Sequence, residues 1–574
     1  MSKKASRVKS NVKKTKNIKK NDKKILTKNT FLQGAFISTM GIVVSKILGI
    51  LYVIPFHAIV KEQGGALYGY AYTIYSLFLA LSSAGIPLAI SKIISEYQTL
   101  GYYTAKEKAF ILGKRLSIVM GLVAFIILFI FAPSIAHGVL GDLKGGNTIE
   151  QVTFVIRVIS TAILVVPVLS IYRGYLEGHK YLTPSSVSMV LEQIARVLII
   201  IFGSYLCLNV FHLSLESAVG VAVFGATAGA FISYFYLMSV VRRNRKVLRE
   251  NKKNSDEPNI TYKTIIKKIF WYALPFIMID IFKSLYDFVD MTTLVKTLGD
   301  KIGYSTVDAE SVMSIISTWG SKFNMIVTSV STGVIVSLIP NLTASFVVGN
   351  KKDINHKVNQ TFQILMFLTL PMTIGLSLLA EPVWLVFYGP SKYGPVVFSY
   401  FIYVALFMSL FTTSVTIVQV LKDYKTVFIS LLSGVVLKAL LNTTLICGFN
   451  SMGLPAYYGS ITATILGYGV SLIICLVSLH KRYSINYEET FKESLNVILG
   501  GILMAISLLL LRFIVPQSVD NRFLNIFIII IYTLVGGIVY LIFTWKMGTV
   551  KSIFGKDMLN KIFSRFGKKK LSSK

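Results

Sequence analysis

Apolar runs long enough to cross a bilayer follow one another along almost the whole chain, and they leave few folds open. A span needs about 20 mostly apolar residues. Fourteen such segments are read, at 31–56, 68–96, 116–136, 152–173, 184–208, 217–241, 268–295, 311–340, 360–380, 395–421, 424–448, 455–479, 493–514 and 523–545. Inside lipid every backbone N–H and C=O must be satisfied within the structure, which favours helices for spans of this length. The expected fold class is therefore an all-α polytopic membrane protein with 14 transmembrane helices. An even count places both termini on one side.

The formal net charge of +33 invites a nucleic-acid reading, but the placement of the charge argues against it. Twelve Lys/Arg lie in residues 1–30, nine in 546–574 and ten in 242–268. These are tails and one long loop flanking apolar spans, as expected for cytoplasmic segments facing anionic lipid heads. With cytoplasmic termini, the inner segments and span edges hold 45 Lys/Arg. The outer loops hold six: Lys61, Lys144, Lys296, Lys301, Lys392 and Arg522. Missing one span would scramble that segregation. The reading is a multi-pass plasma-membrane protein with both termini cytoplasmic, anionic lipids at its basic tails, and no nucleic-acid partner.

An internal repeat suggests how the spans are grouped. AGIPLAISKIISEYQTLG (Ala84–Gly101) ends the second span and TGVIVSLIPNLTASFVVG (Thr332–Gly349) ends the eighth. Each carries Gly at its second position and again sixteen residues later, at an offset of 248 residues, or six spans. Six is even, so the copies share an orientation and form a parallel repeat about an axis normal to the membrane. The expected organisation has a basic tail (1–30), an N-lobe of six helices (31–241) and a basic linker (242–267). A C-lobe of six helices (268–479), two extra helices (480–545) and a second basic tail (546–574) follow. Two lobes around a cleft suit alternating access.

Ionisable side chains within spans are expensive and mark function by default. Eight Lys/Arg lie there: Lys46, Lys92, Arg157, Arg196, Lys283, Lys322, Lys438 and Arg512. Lys92, Arg157 and Arg512 lie near span ends, where snorkelling accounts for them. Glu192 and Arg196, in MVLEQIARVLIIIFG, are four apart and share a helix face. Asp280, Lys283 and Asp287 are three and four apart, and Asp290 follows a turn later. These two clusters can neutralise themselves as structural pairs. Lys46, Lys322 and Lys438 have no acid within a turn of their own helix, which points to a cavity that receives an anion between lobes. The candidate cavity residues are Lys46, Glu192, Arg196, Lys283, Lys322 and Lys438, with Asp280, Asp287 and Asp290 as candidates for ion coupling. Tyr68, Tyr70, Tyr72 and Tyr75 read as an interfacial aromatic belt. Gly225 and Gly229 form a GxxxG helix contact.

Enzyme readings find no support. The six histidines lie in loops or at span ends, and there is no Ser–His–Asp constellation, CxxC or Walker loop. Cys207, Cys447 and Cys475 imply neither a disulfide framework nor a metal site. No cofactor and no metal are expected. No cleavable signal peptide is read ahead of the first span, and no soluble stretch is long enough for an ATPase domain. Transport would then run on an ion gradient, the membrane potential or substrate flux.

With these residues in place, the chain resembles the polysaccharide-transport branch of the multidrug/oligosaccharidyl-lipid/polysaccharide exporter superfamily. RGYLEGHKYLTPSSVSMVLEQIARV (Arg173–Val197) resembles the fourth-to-fifth-span loop of its Gram-positive members, among them lipid II flippases and stage V sporulation protein B relatives. STMGIVVSKILG (Ser38–Gly49) resembles their first span and VIVSLIPNLTASFVVGNKKD (Val334–Asp353) their eighth-span exit. The resemblance implies cavity cations that hold a substrate diphosphate, with Lys46 matching a first-span arginine and Lys322 falling near an eighth-span arginine. A second first-span arginine of the Gram-negative type corresponds to Tyr52 here, a departure from the pattern. The last two spans would form a groove for the lipid tail.

The resemblance implies a flippase that carries lipid II, an undecaprenyl-diphosphate-linked peptidoglycan precursor, to the outer leaflet of a Gram-positive membrane, with the cell-wall synthesis machinery as a candidate partner. Three alternatives stand beside it. One is a flippase for another undecaprenyl-linked unit, such as teichoic acid or capsule. Another is a cation-coupled drug antiporter, which predicts acids as the key cavity residues. The third is a division or sporulation scaffold that transports nothing.

Overall fold

The computed structural model describes residues 31–83, 85–141, 145–249, 258–519 and 521–554. The basic tail 1–30, residues 555–574 of the second expected tail and residues 250–257 of the expected linker lie outside the described residues. Among those described, the chain is helical throughout, without strands. In order, the long helices are Phe31–Leu51, Val53–Ser83, Ile86–Leu100, Tyr103–Leu140, Ile149–Gly178, Leu182–Leu198 and Leu215–Arg243. They are followed by Tyr262–Lys296, Gly320–Val348, Lys351–Leu378, Tyr403–Val420, Tyr424–Ser451, Tyr458–Tyr483, Glu488–Leu511 and Arg522–Lys546.

Each of the fourteen expected segments overlaps helix, and among the described residues eleven helices are long and apolar enough to cross a membrane. Tyr262–Lys296 carries Asp280, Lys283, Asp287 and Asp290, and Gly320–Val348 is rich in Ser and Thr. The first and second expected spans meet within one helical stretch, Val53–Ser83, which breaks at Lys61 (φ 57°, ψ −164°). Sixteen residues of unbroken helix would separate Tyr52 from Tyr68 by about 24 Å. Their hydroxyls are 3.4 Å apart, so the chain reverses at Lys61.

The helices run alternately between two faces. Helix Phe31–Leu51 lies along Leu182–Leu198, with Gly41 against Ser186 and Gly49 against Gln193. Glu96 meets Lys268 at 2.6 Å, Tyr483 Oη donates to the Leu421 carbonyl, and Gln360 donates to that of Ile553. This terminal face therefore holds both ends of the described chain. Asn147, Glu216, Glu310, Lys392 and Arg522 lie at the distal face.

The glycines of the repeat act alike at one position and differently at the other. Gly101 and Gly349 both end their helices with positive φ (75° and 73°), as helix C-caps favour. Gly85 has φ 71° and breaks its helix, whereas Gly333 continues one. Gly225 and Gly229 pack on the backbone of Arg196 and Glu192, a close helix contact as expected for GxxxG.

Candidate binding cavity

Three of the expected cations come together. A cavity of about 530 Å³ is bounded by Lys46 from the first span, Arg196 from the fifth and Lys322 from the eighth. Tyr52, Tyr68, Tyr72, Gln193 and Asp287 share its wall. A neighbouring cavity of about 270 Å³ shares Thr73, Asp287, Ser317 and Met325 with the first and adds Lys283, Asp290 and Lys438. The two form adjoining space between helices from both halves of the chain.

The cations differ in how they are held. No carboxylate lies within ion-pair distance of Lys46 or Lys322 among the described residues. Lys322 Nζ sits 5.5 Å from the centroid of the Tyr52 ring, whose face attracts a cation. Tyr52, the position expected to depart from the Gram-negative pattern, thus supplies an aromatic seat for Lys322. Arg196 donates to Glu192 at 2.9 Å, and its Nε is buried without a hydrogen-bond partner.

Several expectations are corrected. Glu192 does not line the cavity: it is clamped between Arg196 at 2.9 Å and Arg173 at 2.8 Å. Arg173 also donates to Ser188 and Ser233, which fixes the fork. One carboxylate held by two guanidiniums leaves a net positive cluster behind the cavity, where a neutral Glu–Arg pair was expected. Lys438 is no free cation either. Its side chain is 1% exposed and meets Asp290 at 2.6 Å and Thr464 at 2.6 Å. Asp290 in turn accepts from Ser460 and Asn442. The partner acid lies on another helix, which spacing along one helix does not reveal.

The expected self-neutralised cluster of Asp280, Lys283 and Asp287 does not form, since no two of them lie within 4.0 Å in an ion pair. Lys283 faces the second cavity and Asp287 faces both, while Asp280 lines neither. The tyrosines are not an interfacial belt. Tyr68, Tyr70 and Tyr75 are buried and Tyr72 is half-buried, Tyr68 and Tyr72 stack at 4.4 Å in the cavity wall, and Tyr70 Oη donates to Glu310.

The cavity is sealed toward the distal face by contacts that sequence reading missed. Gly65 and Gly69 lie four apart in helix Val53–Ser83, at the start of the second span, a GxxxG spacing that a closer reading could have found. A Cβ at Gly65 would overlap the Trp319 indole, and one at Gly69 would overlap Ser317. Thr318 Oγ1 donates to the Gly65 carbonyl at 2.9 Å. Residues 315–319 are wound as a π-helix, a wide turn that recurs at functional sites. Beside them Glu310, fully buried, accepts from the Asn147 backbone N–H and side chain, both at 2.9 Å.

These helices and this cavity define a multi-pass cell-membrane protein with the fold of the multidrug/oligosaccharidyl-lipid/polysaccharide exporter superfamily. A solved lipid II flippase MurJ in an inward closed conformation superposes with a TM-score of 0.59 at 17% identity, covering 89% of this chain and 99% of that one. An inward-facing multidrug resistance MATE family transporter superposes with a TM-score of 0.60 at 12% identity, over 78% of this chain and 98% of that one. The chain belongs to the polysaccharide biosynthesis protein family, whose model matches residues 31–338. It is 33% identical over 539 residues to the lipid II flippase MurJ of Bacillus subtilis (strain 168), covering 92% of this chain and 97% of that protein. It is 27% identical over 213 residues to stage V sporulation protein B of the same organism, covering 37% of this chain and 39% of that one.

Proposed function

We propose that this chain is a transporter that flips lipid II from the inner to the outer leaflet. The observation that carries the reading is the convergence of Lys46, Arg196 and Lys322 from three helices on one cavity; among the described residues only Arg196 of the three has a carboxylate within ion-pair distance. Such a cavity suits the diphosphate of a lipid-linked sugar, and the likeness to the Bacillus flippase names the sugar carrier. On this reading both termini lie in the cytoplasm of a Gram-positive cell, the basic tails meet anionic lipid, and the chain works near the cell-wall machinery. The distal face is then extracellular. Residues 31–241 and 268–479 act as two lobes that rock about the cavity, and the Gly65–Trp319 contact closes its outer end.

The lipid tail would lie along helices Glu488–Leu511 and Arg522–Lys546, which expose Ile502, Leu510, Phe527, Leu534 and Ile538. An inside-negative potential favours outward movement of a dianion by roughly 4–5 kcal/mol per 100 mV. The cavity cations cancel part of that charge and so part of that gain. Asp287, facing both cavities, supports a second reading as a cation-coupled exporter, in which Asp287→Asn would abolish activity and Lys46→Ala would not.

The test is to deplete the endogenous lipid II flippase of a bacterium and express this chain. The readouts are surface exposure of lipid II and survival. Wild type is expected to rescue, and Lys46→Ala and Lys322→Ala at normal protein levels are expected not to. Failure of well-inserted wild type to rescue would remove lipid II as the substrate. Rescue by both alanine variants would remove the proposed site.

A further inference from the structure

A second pocket, separate from the central cavity, lies at the distal face. It has a volume of about 290 Å³ and sits between the reversal at Lys61, the loop after helix Ala380–Tyr388 and the start of helix Arg522–Lys546. Lys61, Arg522 and His57 line it, with Leu385, Phe387 and Tyr388 as an apolar wall. The outer loops are expected to hold only six cations, and two of them meet here.

Among the described residues nothing neutralises either cation. No carboxylate lies within ion-pair distance of Lys61 or Arg522 among the described residues. Glu62, next to Lys61 in the chain, accepts a hydrogen bond from Ser391. Arg522 is held by the carbonyls of Val386 (2.6 Å) and Phe387 (3.3 Å), which orient the guanidinium without cancelling its charge. His57 is only 6% exposed, and its Nε2 has no hydrogen-bond partner. Lys61 occupies a backbone region (φ 57°) that non-glycine residues rarely adopt, and such strain persists where the surroundings enforce it, often at ligand clamps.

We propose that this pocket binds the phosphate of a membrane lipid in the leaflet at the distal face. Lys61 and Arg522 meet the charge, His57 Nε2 offers a hydrogen bond, and the apolar wall takes the first methylenes. Arg522 begins the helix whose exposed Phe527, Leu534 and Ile538 run along the bilayer, so a head group in the pocket continues into a tail on that helix. Two lipids share this chemistry: a resident phospholipid and the polyprenyl diphosphate end of a substrate that has crossed. The second source rests on the function proposed above, and the phosphate site itself does not.

The test uses full-length protein purified in detergent, carrying Lys46→Ala and Lys322→Ala so that the central cavity contributes little. Binding of undecaprenyl diphosphate and of phosphatidylglycerol is titrated by native mass spectrometry, with phosphatidylcholine as the zwitterionic reference. Lys61→Ala is the first variant, because that side chain is exposed and holds no described contact. It is expected to weaken binding at least tenfold, a charge-assisted contact being lost, and Lys61→Arg is expected to restore it. A drop for both anionic lipids assigns the pocket to any lipid phosphate. A drop for undecaprenyl diphosphate alone assigns it to the crossed substrate. Unchanged affinity for both in Lys61→Ala and in a monodisperse Lys61→Ala/Arg522→Gln variant overturns the proposal. Failure here leaves rescue by wild type untouched, whereas failure of the flippase reading abolishes that rescue.

Discussion

Replacing Lys438 by Met separates a structural ion pair from a substrate ligand. In the structure Lys438 Nζ is 2.6 Å from Asp290, and the two side chains are 1% and 8% exposed. Removing one member of such a pair leaves the other charge buried, at a cost of about 3–5 kcal/mol. Removing both with Asp290→Asn/Lys438→Met takes away the charge and the desolvation together. Ser460 and Asn442, which donate to Asp290, can still donate to the amide oxygen that replaces its carboxylate, and Thr464 keeps its bond to the Ser460 carbonyl. The double variant is expected to lose about 1–2 kcal/mol, the net worth of the altered hydrogen bonds. The assay heats purified protein in detergent and follows the fraction that stays monodisperse, beside rescue of flippase-depleted cells. Each single variant should melt well below the double variant, and the double variant should rescue. If Lys438→Met melts like wild type but fails to rescue, Lys438 is a ligand and the structural reasoning is wrong.

Other consequences follow from the same geometry. Gly65→Leu would drive a side chain into the Trp319 indole and hold the distal end open. A membrane-impermeant maleimide added outside should then label a Ser317→Cys reporter, in a background without the native cysteines, several-fold faster. Glu310→Ala leaves two buried Asn147 donors unmet and should cost about 2–4 kcal/mol in the detergent melt, with Glu310→Gln costing less. Asp423, in the turn between the expected spans 395–421 and 424–448, caps the following helix through the Thr426 N–H. Asp423→Ala should cost about 1 kcal/mol. Burial alone would raise its carboxyl, but hydrogen bonds from Thr426 and Ser478 and the Arg482 charge hold it below the ordinary range. Its contribution is therefore full above the ordinary carboxylate pKa and is lost as pH falls through the lowered value. A melting profile that shows no loss at acid pH relative to Asp423→Ala would contradict this.

The sequence by itself determined the membrane class and the helical course. Apolar runs of span length leave the backbone no partner but itself, and each expected segment indeed overlaps helix. It also picked out Lys46, Arg196 and Lys322, because a cation in a span is too costly to be incidental. What only the tertiary structure decided is which charges are spent. Lys438 looked free because its acid, Asp290, stands 148 positions away on another helix. Glu192 looked paired once but is held by two arginines, the second nineteen residues upstream. The tyrosine run 68–75 looked interfacial because aromatic residues near a span end favour the lipid head groups. The reversal at Lys61 instead folds the run back against the first span and into the cavity wall. Periodicity along one helix reports only local neighbours, and whether a buried charge is met depends on neighbours that only packing brings near.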